Sequence, residues 1–119
     1  MNTIQSGNEG EDIACQYLEQ KGYCIIARNY RRPCGEIDII AADKKTLVFV
    51  EVKKRASNAF GGPIAAVTRA KQHKIVLTAQ YYLKENAPKF DNIRFDVVCL
   101  LPGNIEHIEQ AFFPQQNSF

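Results

Sequence analysis

The chain has 119 residues, of which 45% are hydrophobic and 24% charged, and its formal net charge is +2. This length and composition are those of one globular domain over residues 1–119, and they exclude a disordered chain. No apolar run approaches the roughly 20 residues of a membrane-spanning helix, residues 1–6 lack the features of a signal peptide, and the four cysteines lack zinc-site spacing. We therefore expect a cytoplasmic protein with reduced thiols and no membrane partner.

The first predicted element is a helix over residues 7–21. Ser6 and Glu9 form a capping-box pattern at its start, and Gly22 is a typical stop at its end. At helical spacing its inward stripe consists of Gly10, Ile13, Ala14, Tyr17 and Leu18. Glu11 lies about 20° from Leu18, at the edge of that stripe. It is either a boundary glutamate that bends out to water or a carboxylate directed at a site.

A strand over residues 23–31 is predicted to lead into a β-hairpin over residues 35–55, where two apolar runs flank a short polar break. Asp38 interrupts the first run, and Glu51 and Lys53 interrupt the second. A strand that is apolar on both faces is usually covered on both sides. A charge there is costly unless it is paired, hydrogen-bonded or bound to a metal.

The length of the hairpin loop decides how these charges are arranged. A loop of two or four residues puts Asp38 directly opposite Glu51, with Cβ atoms about 4.5–5.5 Å apart, and Glu36 opposite Lys53. Two carboxylates at that distance repel unless a cation lies between them, and hard divalent ions prefer oxygen ligands. An odd loop would split the pair across the sheet. Glu51 and Lys53 alone are weak evidence for a metal site, because exposed strands often alternate charges.

The second half of the chain predicts one more helix and two strands. Thr68 fits as the N-cap of a helix that runs to about Lys84, and its apolar face consists of Ile75, Val76, Ala79, Tyr82 and Leu83. Gln72 projects onto this face, either as a core hydrogen bonder or as a group that reaches the hairpin. Residues 56–63 predict a flap-like loop, residues 93–101 a strand and residues 105–109 a short edge strand. This order predicts an α/β fold, a mixed β-sheet with helices on both faces.

Basic residues are concentrated in the stretch from Val52 to Lys84, which contains no acid. The bases are Lys53, Lys54, Arg55, Arg69, Lys71, Lys74 and Lys84. A surface of this kind suits a polyanion such as nucleic acid, held through its phosphates without sequence readout. The alternative is a solvated, lysine-rich helix.

Several motifs occur in one order over nearly the whole chain. They include Gly10-Glu11-x-x-Ala14, Asn29-Tyr30-Arg31, Gly35-Glu36-Ile37-Asp38-Ile39-Ile40, Phe49-Val50-Glu51-Val52-Lys53, Thr68-Arg69-x-Lys71-Gln72 and Arg94-Phe95-Asp96-Val97-Val98. They resemble the motifs of the YraN family, which is similar to the restriction-endonuclease-like PD-(D/E)XK nucleases and to archaeal Holliday-junction resolvases. The resemblance implies a restriction-endonuclease-like core and a metal-dependent nuclease that acts on DNA, with branched or junction DNA among the candidate substrates.

The resemblance also implies roles for individual residues. Asp38 and Glu51 would hold Mg²⁺ or Mn²⁺, Glu11 would be an added helix carboxylate, and Lys53 would position or activate the attacking water. We add Gln72 as a catalytic candidate from its place on the second helix. The candidate phosphate-binding residues are Lys54, Arg55, Arg69, Lys71 and Lys74.

Other hypotheses of function stay open at this point. One is an inactive nucleic-acid-binding module of the same fold. The other is a protein-interaction domain in which the charged hairpin is an ion-pair cluster. A homodimer is a further expectation, because resolvase-like relatives are dimers and symmetric substrates favour twofold partners.

Overall fold

A five-stranded sheet in the order β1-β2-β3-β4-β5 forms the centre of the protein in a computed structural model, which describes residues 9–57 and 67–114. The strands are β1 (Cys24–Arg32), β2 (Gly35–Asp43), β3 (Thr46–Lys54), β4 (Asn92–Leu101) and β5 (Asn104–Phe112). The helices are α1 (Glu9–Gln20) and α2 (Arg69–Asn86). β3 and β4 are parallel and the other neighbours are antiparallel, which confirms the predicted mixed sheet.

The two helices cover opposite faces of the sheet, as predicted. On one face α1 contributes Ala14, Cys15 and Leu18 to a cluster with Ile39, Val48 and Val50. On the other face α2 contributes Ile75, Val76 and Ala79 to a cluster with Ile40, Phe49 and Phe95. The central strands are therefore apolar on both sides because both sides are covered. Within the described residues, neither helix is long and apolar enough to cross a membrane.

The buried face of α1 differs from the predicted stripe. Ile13 was expected to be buried but is 48% exposed, whereas Cys15 is buried beside Ala14. The buried arc is thus centred between Ala14 and Cys15, and this orientation carries Glu11 into it. The Glu11 side chain is only 15% exposed. Gly22 has a φ of 96°, which fits the predicted helix stop, and Ser6 lies outside the described residues.

The predicted hairpin is present, with the shorter of the two even loops. Asp43 pairs with Thr46 and Ile39 pairs with Val50, so the loop contains only Lys44 and Lys45. Thr68 is the N-cap of α2, and its Oγ1 accepts a hydrogen bond of 3.1 Å from the amide of Lys71. Residues 58–63, most of the expected flap, lie outside the described residues.

The edge strand β5 is longer than predicted, because it extends to Phe112 instead of ending near residue 109. The pairing of β5 with β4 changes register between the Phe95–Phe112 pair and the Val97–Ile108 pair. Gln110 has a φ of 53° in this region. A bulge of this kind lets a strand continue past an irregular residue. The sequence pattern did not reveal this bulge.

A fully buried carboxylate, Asp96 on β4, holds the bulge in place. Its oxygens accept hydrogen bonds from Nε of Arg94 at 2.9 Å and from Nη2 of Arg94 at 3.0 Å. The amide of Gln110 donates at 3.1 Å, and Nε2 of His107 lies 2.7 Å away. Burial opposes ionisation, but the hydrogen bonds from His107, Arg94 and Gln110 outweigh it and hold the pKa of Asp96 below its usual range.

The Asp96 network also reaches the segment between α1 and β1 and the last residue of β2. Arg94 donates to the hydroxyl of Tyr23 at 2.6 Å and to the carboxylate of Asp43 at 3.3 Å. Nζ of Lys21 lies 2.8 Å from Nδ1 of His107. An ammonium group can only donate, so Nδ1 accepts and the ring proton on Nε2 is donated to Asp96. The network therefore links β4 to β2, to β5 and to the segment between α1 and β1.

We expect Asp96→Asn to lower the free energy of unfolding by about 3–5 kcal/mol, because it leaves Arg94 without its buried counter-charge. Glu109→Gln is the matched control. It removes the same charge from an exposed partner of Arg94, whose side chain is 51% exposed, and we expect a loss of about 0–1 kcal/mol. Urea denaturation of both variants measures the difference. Equal losses would contradict the assignment of Asp96 as the centre of the network.

Candidate metal centre

β2 and β3 pair with each other only over the half that lies nearest their turn. The ladder between them ends at Ile39 and Val50, although β2 begins at Gly35 and β3 continues to Lys54. The remaining half of β2 stays paired with β1, and that of β3 stays paired with β4. The sheet therefore opens between its second and third strands.

Asp38 and Glu51 are the first residues beyond the end of this ladder. The register that pairs Ile39 with Val50 places them across from each other, and their side chains are hydrogen-bonded. The amide of Val52 donates to Oδ2 of Asp38 at 2.8 Å. Burial, together with the negative charge of Glu51, raises the pKa of Asp38 to about 7. The pair therefore takes up a proton as the pH falls through about 7.

Asp38 also belongs to a group of three carboxylates with Glu11 and Glu36. One oxygen of each lies within 4.8 Å of the others. Glu11 comes from the buried face of α1, whereas Glu36 and Asp38 are alternate residues of β2. Three convergent carboxylate oxygens are the donor set that hard ions such as Mg²⁺ and Mn²⁺ prefer. The residues present therefore fit a divalent cation of this class.

Glu51 faces α2 and meets two lysines. Its carboxylate is 4% exposed, and its Oε2 lies 3.4 Å from Nζ of Lys53 and 3.6 Å from Nζ of Lys71. A buried carboxylate requires such compensation. Lys71 was predicted only as a phosphate ligand, and its position beside Glu51 makes it part of the site. Glu51 is linked to the three-carboxylate group through Asp38.

The other predicted residues lie on α2 or at the end of β3. The side chain of Gln72 donates to the carbonyl oxygen of Val67 at 3.0 Å, which directs it to the start of its own helix. Lys54 is exposed at the end of β3, and the backbone amide of Arg55 donates to the carbonyl of Leu100. Arg69 and Lys74 are exposed on α2.

Two residues of the site were not proposed from the sequence. Glu36 was only placed opposite Lys53, although the period of two along a strand puts it on the same face as Asp38. Asn29 donates from Nδ2 to Oε1 of Glu11 at 2.8 Å, to Oε2 of Glu11 at 2.9 Å and to Oε2 of Glu36 at 3.2 Å. The β1–β2 loop has two residues, because Arg32 pairs with Gly35. Counting back from it would have placed Asn29 beside Asp38.

Comparison with known proteins identifies close relatives. The model of the uncharacterised protein family UPF0102 matches residues 10–100. A UPF0102 protein of Thermodesulfovibrio yellowstonii is 46% identical over 113 residues, which cover 95% of this chain and 100% of the relative. A UPF0102 protein of Saccharophagus degradans is 48% identical over 110 residues, which cover 91% of this chain and 92% of the relative. The chain therefore belongs to the UPF0102 family, also called YraN, and the resemblance drawn from its motifs is confirmed.

Proposed function

We propose that the protein is a metal-dependent phosphodiester hydrolase that acts on DNA in the cytoplasm. The observation that carries this proposal is the meeting of four carboxylates and two lysines where β2 and β3 separate. Hydrolysis of a phosphodiester builds negative charge on the phosphoryl oxygens and on the leaving oxygen. Cations held at fixed positions stabilise that charge.

The metal ion of this proposal is Mg²⁺ or Mn²⁺, held by Asp38, Glu11 and Glu36, with Glu51 adjacent. When bound, such an ion supplies Lewis acidity at the scissile phosphate. Asp38 is central because it belongs to the three-carboxylate group and also hydrogen-bonds Glu51. Its proton is the group that an entering cation displaces.

The two lysines supply the remaining positive charge. Lys53 and Lys71 reach Glu51 from different elements, β3 and α2, and both ammonium groups contact the same oxygen, Oε2. Each has further N–H donors to offer to a phosphate oxygen or to the attacking water. Lys53 is 31% exposed and Lys71 42% exposed, so substrate can reach both.

DNA binding in this proposal rests on exposed basic residues of α2 and of the end of β3. Arg69 and Lys74 are exposed in the first two turns of α2, and Lys54 follows Lys53 on β3. These residues contact phosphates and carry no base readout. The proposed substrate is therefore DNA recognised by backbone and shape.

We expect Mn²⁺ to bind about tenfold more tightly at pH 8 than at pH 6. The pKa of Asp38 is raised to about 7, so the carboxyl group is mainly protonated at pH 6 and mainly ionised at pH 8, and the ion displaces the proton. Calorimetric titrations in two buffers of different ionisation enthalpy measure the affinity and the protons released. We expect about one proton released at pH 6 and few at pH 8. A pH-independent affinity without proton release would contradict this role of Asp38.

We expect Asp38→Asn and Lys53→Ala each to reduce Mn²⁺-dependent DNA cleavage by at least about a hundredfold, because the first removes a residue that holds the ion and the second a donor to the phosphate or the attacking water. A panel of single-stranded, duplex, flap and four-way substrates measures cleavage. Lys45→Ala, an exposed lysine of the β2–β3 turn, is the control and should keep full activity.

The same panel separates the alternatives. Salt-sensitive binding that chelator does not affect, with no cleavage of any substrate, would replace the enzyme with an inactive binding module. Absence of both binding and cleavage would leave a protein-interaction domain.

We expect the double variant Arg69→Ala/Lys74→Ala to reduce the slope of log affinity against log salt by about 2, because two phosphate contacts are lost. Fluorescence anisotropy with labelled duplex across a KCl series measures the slope. The control is Lys84→Ala/Lys89→Ala, which removes two exposed bases at and beyond the other end of α2. Equal effects of the two double variants would indicate net charge instead of a defined surface.

A further inference from the structure

Asn29 has a left-handed backbone in the middle of strand β1, with a φ of 52°. Few residues other than glycine adopt this conformation, and asparagine is among those that do so most readily. Its effect is visible in the contacts of its neighbours. Consecutive residues of a regular strand face opposite sides of a sheet, yet Arg28 and Asn29 both contact Glu11 on α1, at 3.7 Å and 2.8 Å. The irregular backbone thus turns Asn29 towards α1.

The strand register places Asn29 beside Asp38. Arg28 pairs with Ile39 and Tyr30 pairs with Ile37, so the residue between them lies across from Asp38. Asp38 is therefore flanked by Asn29 on β1 and by Glu51 on β3. The three residues form one row across three strands, and the row lies where β2 and β3 separate.

The amide of Asn29 joins two of the three carboxylates of the candidate metal centre. Nδ2 donates to both oxygens of Glu11 and to Oε2 of Glu36. An ionised carboxylate only accepts hydrogen bonds, so the amide nitrogen, and not the amide oxygen, must face these groups. One neutral side chain thus holds together two anions that would otherwise repel.

We propose that Asn29 is a positioning residue that preorganises Glu11 and Glu36 for a divalent cation, an inference that rests on the proposed function. A hydrogen-bonded carboxylate does not have to be ordered when the ion arrives, so less of the binding free energy is lost. The neutrality of the amide matters. A lysine or arginine here would cancel the negative charge that attracts the ion, whereas the amide orients the carboxylates and leaves their charge in place.

The competing explanation is that Asn29 only shapes the strand, and two substitutions separate the two roles. Asn29→Gly keeps access to the left-handed backbone and removes the amide. Asn29→Asp keeps the size and the backbone tolerance but replaces the donor with a negative oxygen facing Glu11 and Glu36. Gln110→Gly is the matched control, because Gln110 also has a left-handed φ, of 53°, and lies on β5 beside the Asp96 network.

The experiment measures Mn²⁺ affinity by calorimetry and the melting temperature with and without Mn²⁺, on the full chain. We expect Asn29→Gly to bind Mn²⁺ about 10- to 100-fold more weakly than the unmodified protein, and Gln110→Gly to bind it equally well. We expect Asn29→Asp to melt at a lower temperature without metal and to show a larger rise on adding Mn²⁺, because the ion relieves the added repulsion.

Each outcome bears on the inference. Wild-type affinity in a folded Asn29→Gly variant overturns the positioning role and leaves the proposed function standing. Failure of the unmodified protein to bind Mn²⁺ overturns both. If Asn29→Gly does not fold, the aspartate variant decides, and a Mn²⁺-induced rise no larger than that of the unmodified protein overturns the role.

Discussion

The separation of β2 and β3 beyond Ile39 and Val50 is the constraint on which the candidate site depends. Inside a sheet, neighbouring strands normally satisfy each other's backbone groups. Here the amide of Val52 donates to the carboxylate of Asp38, while β1 and β4 hold the outer sides of the two separated halves. The opening gives Asp38 room to interact with Glu51 and with the carboxylates of Glu11 and Glu36. A continuous ladder would close that space.

Two aspartates of the same sheet show how surroundings set the character of a buried carboxyl group. Asp96 is bonded by Arg94, His107 and a backbone amide, and these donors keep its pKa below the usual range despite burial. Asp38 is also sheltered, but the charged groups that act on its pKa are Glu51 and Glu11, and its pKa rises to about 7. The negative charge of Asp96 is compensated by Arg94 within the protein. A cation bound beside Asp38 would compensate the charge of its carboxylate.

Much of the site could be predicted from loop length and strand register, and the remainder depends on deviations from regular strand geometry. A hairpin loop with an even number of residues was enough to place Asp38 opposite Glu51, because strand periodicity is strict where a ladder is regular. Ile13 was misplaced because helical spacing fixes the order of residues around α1 but not the angle at which the helix meets the sheet. The orientation of Asn29 towards α1 and the extension of β5 to Phe112 were missed because single left-handed residues interrupt the alternation. Lys71 approaches Glu51 through the packing of α2 on the sheet, which no local pattern encodes.

The row formed by Asn29, Asp38 and Glu51 has a consequence for how the family can vary in length. These residues align only because both hairpin loops, Pro33–Cys34 and Lys44–Lys45, contain two residues. Inserting one residue in either loop would shift the register by one residue and break the alignment of the row. Surface turns are ordinarily where insertions accumulate during evolution. In this protein the lengths of the two turns set the register of the strands that they join. We therefore expect insertions at other loops instead.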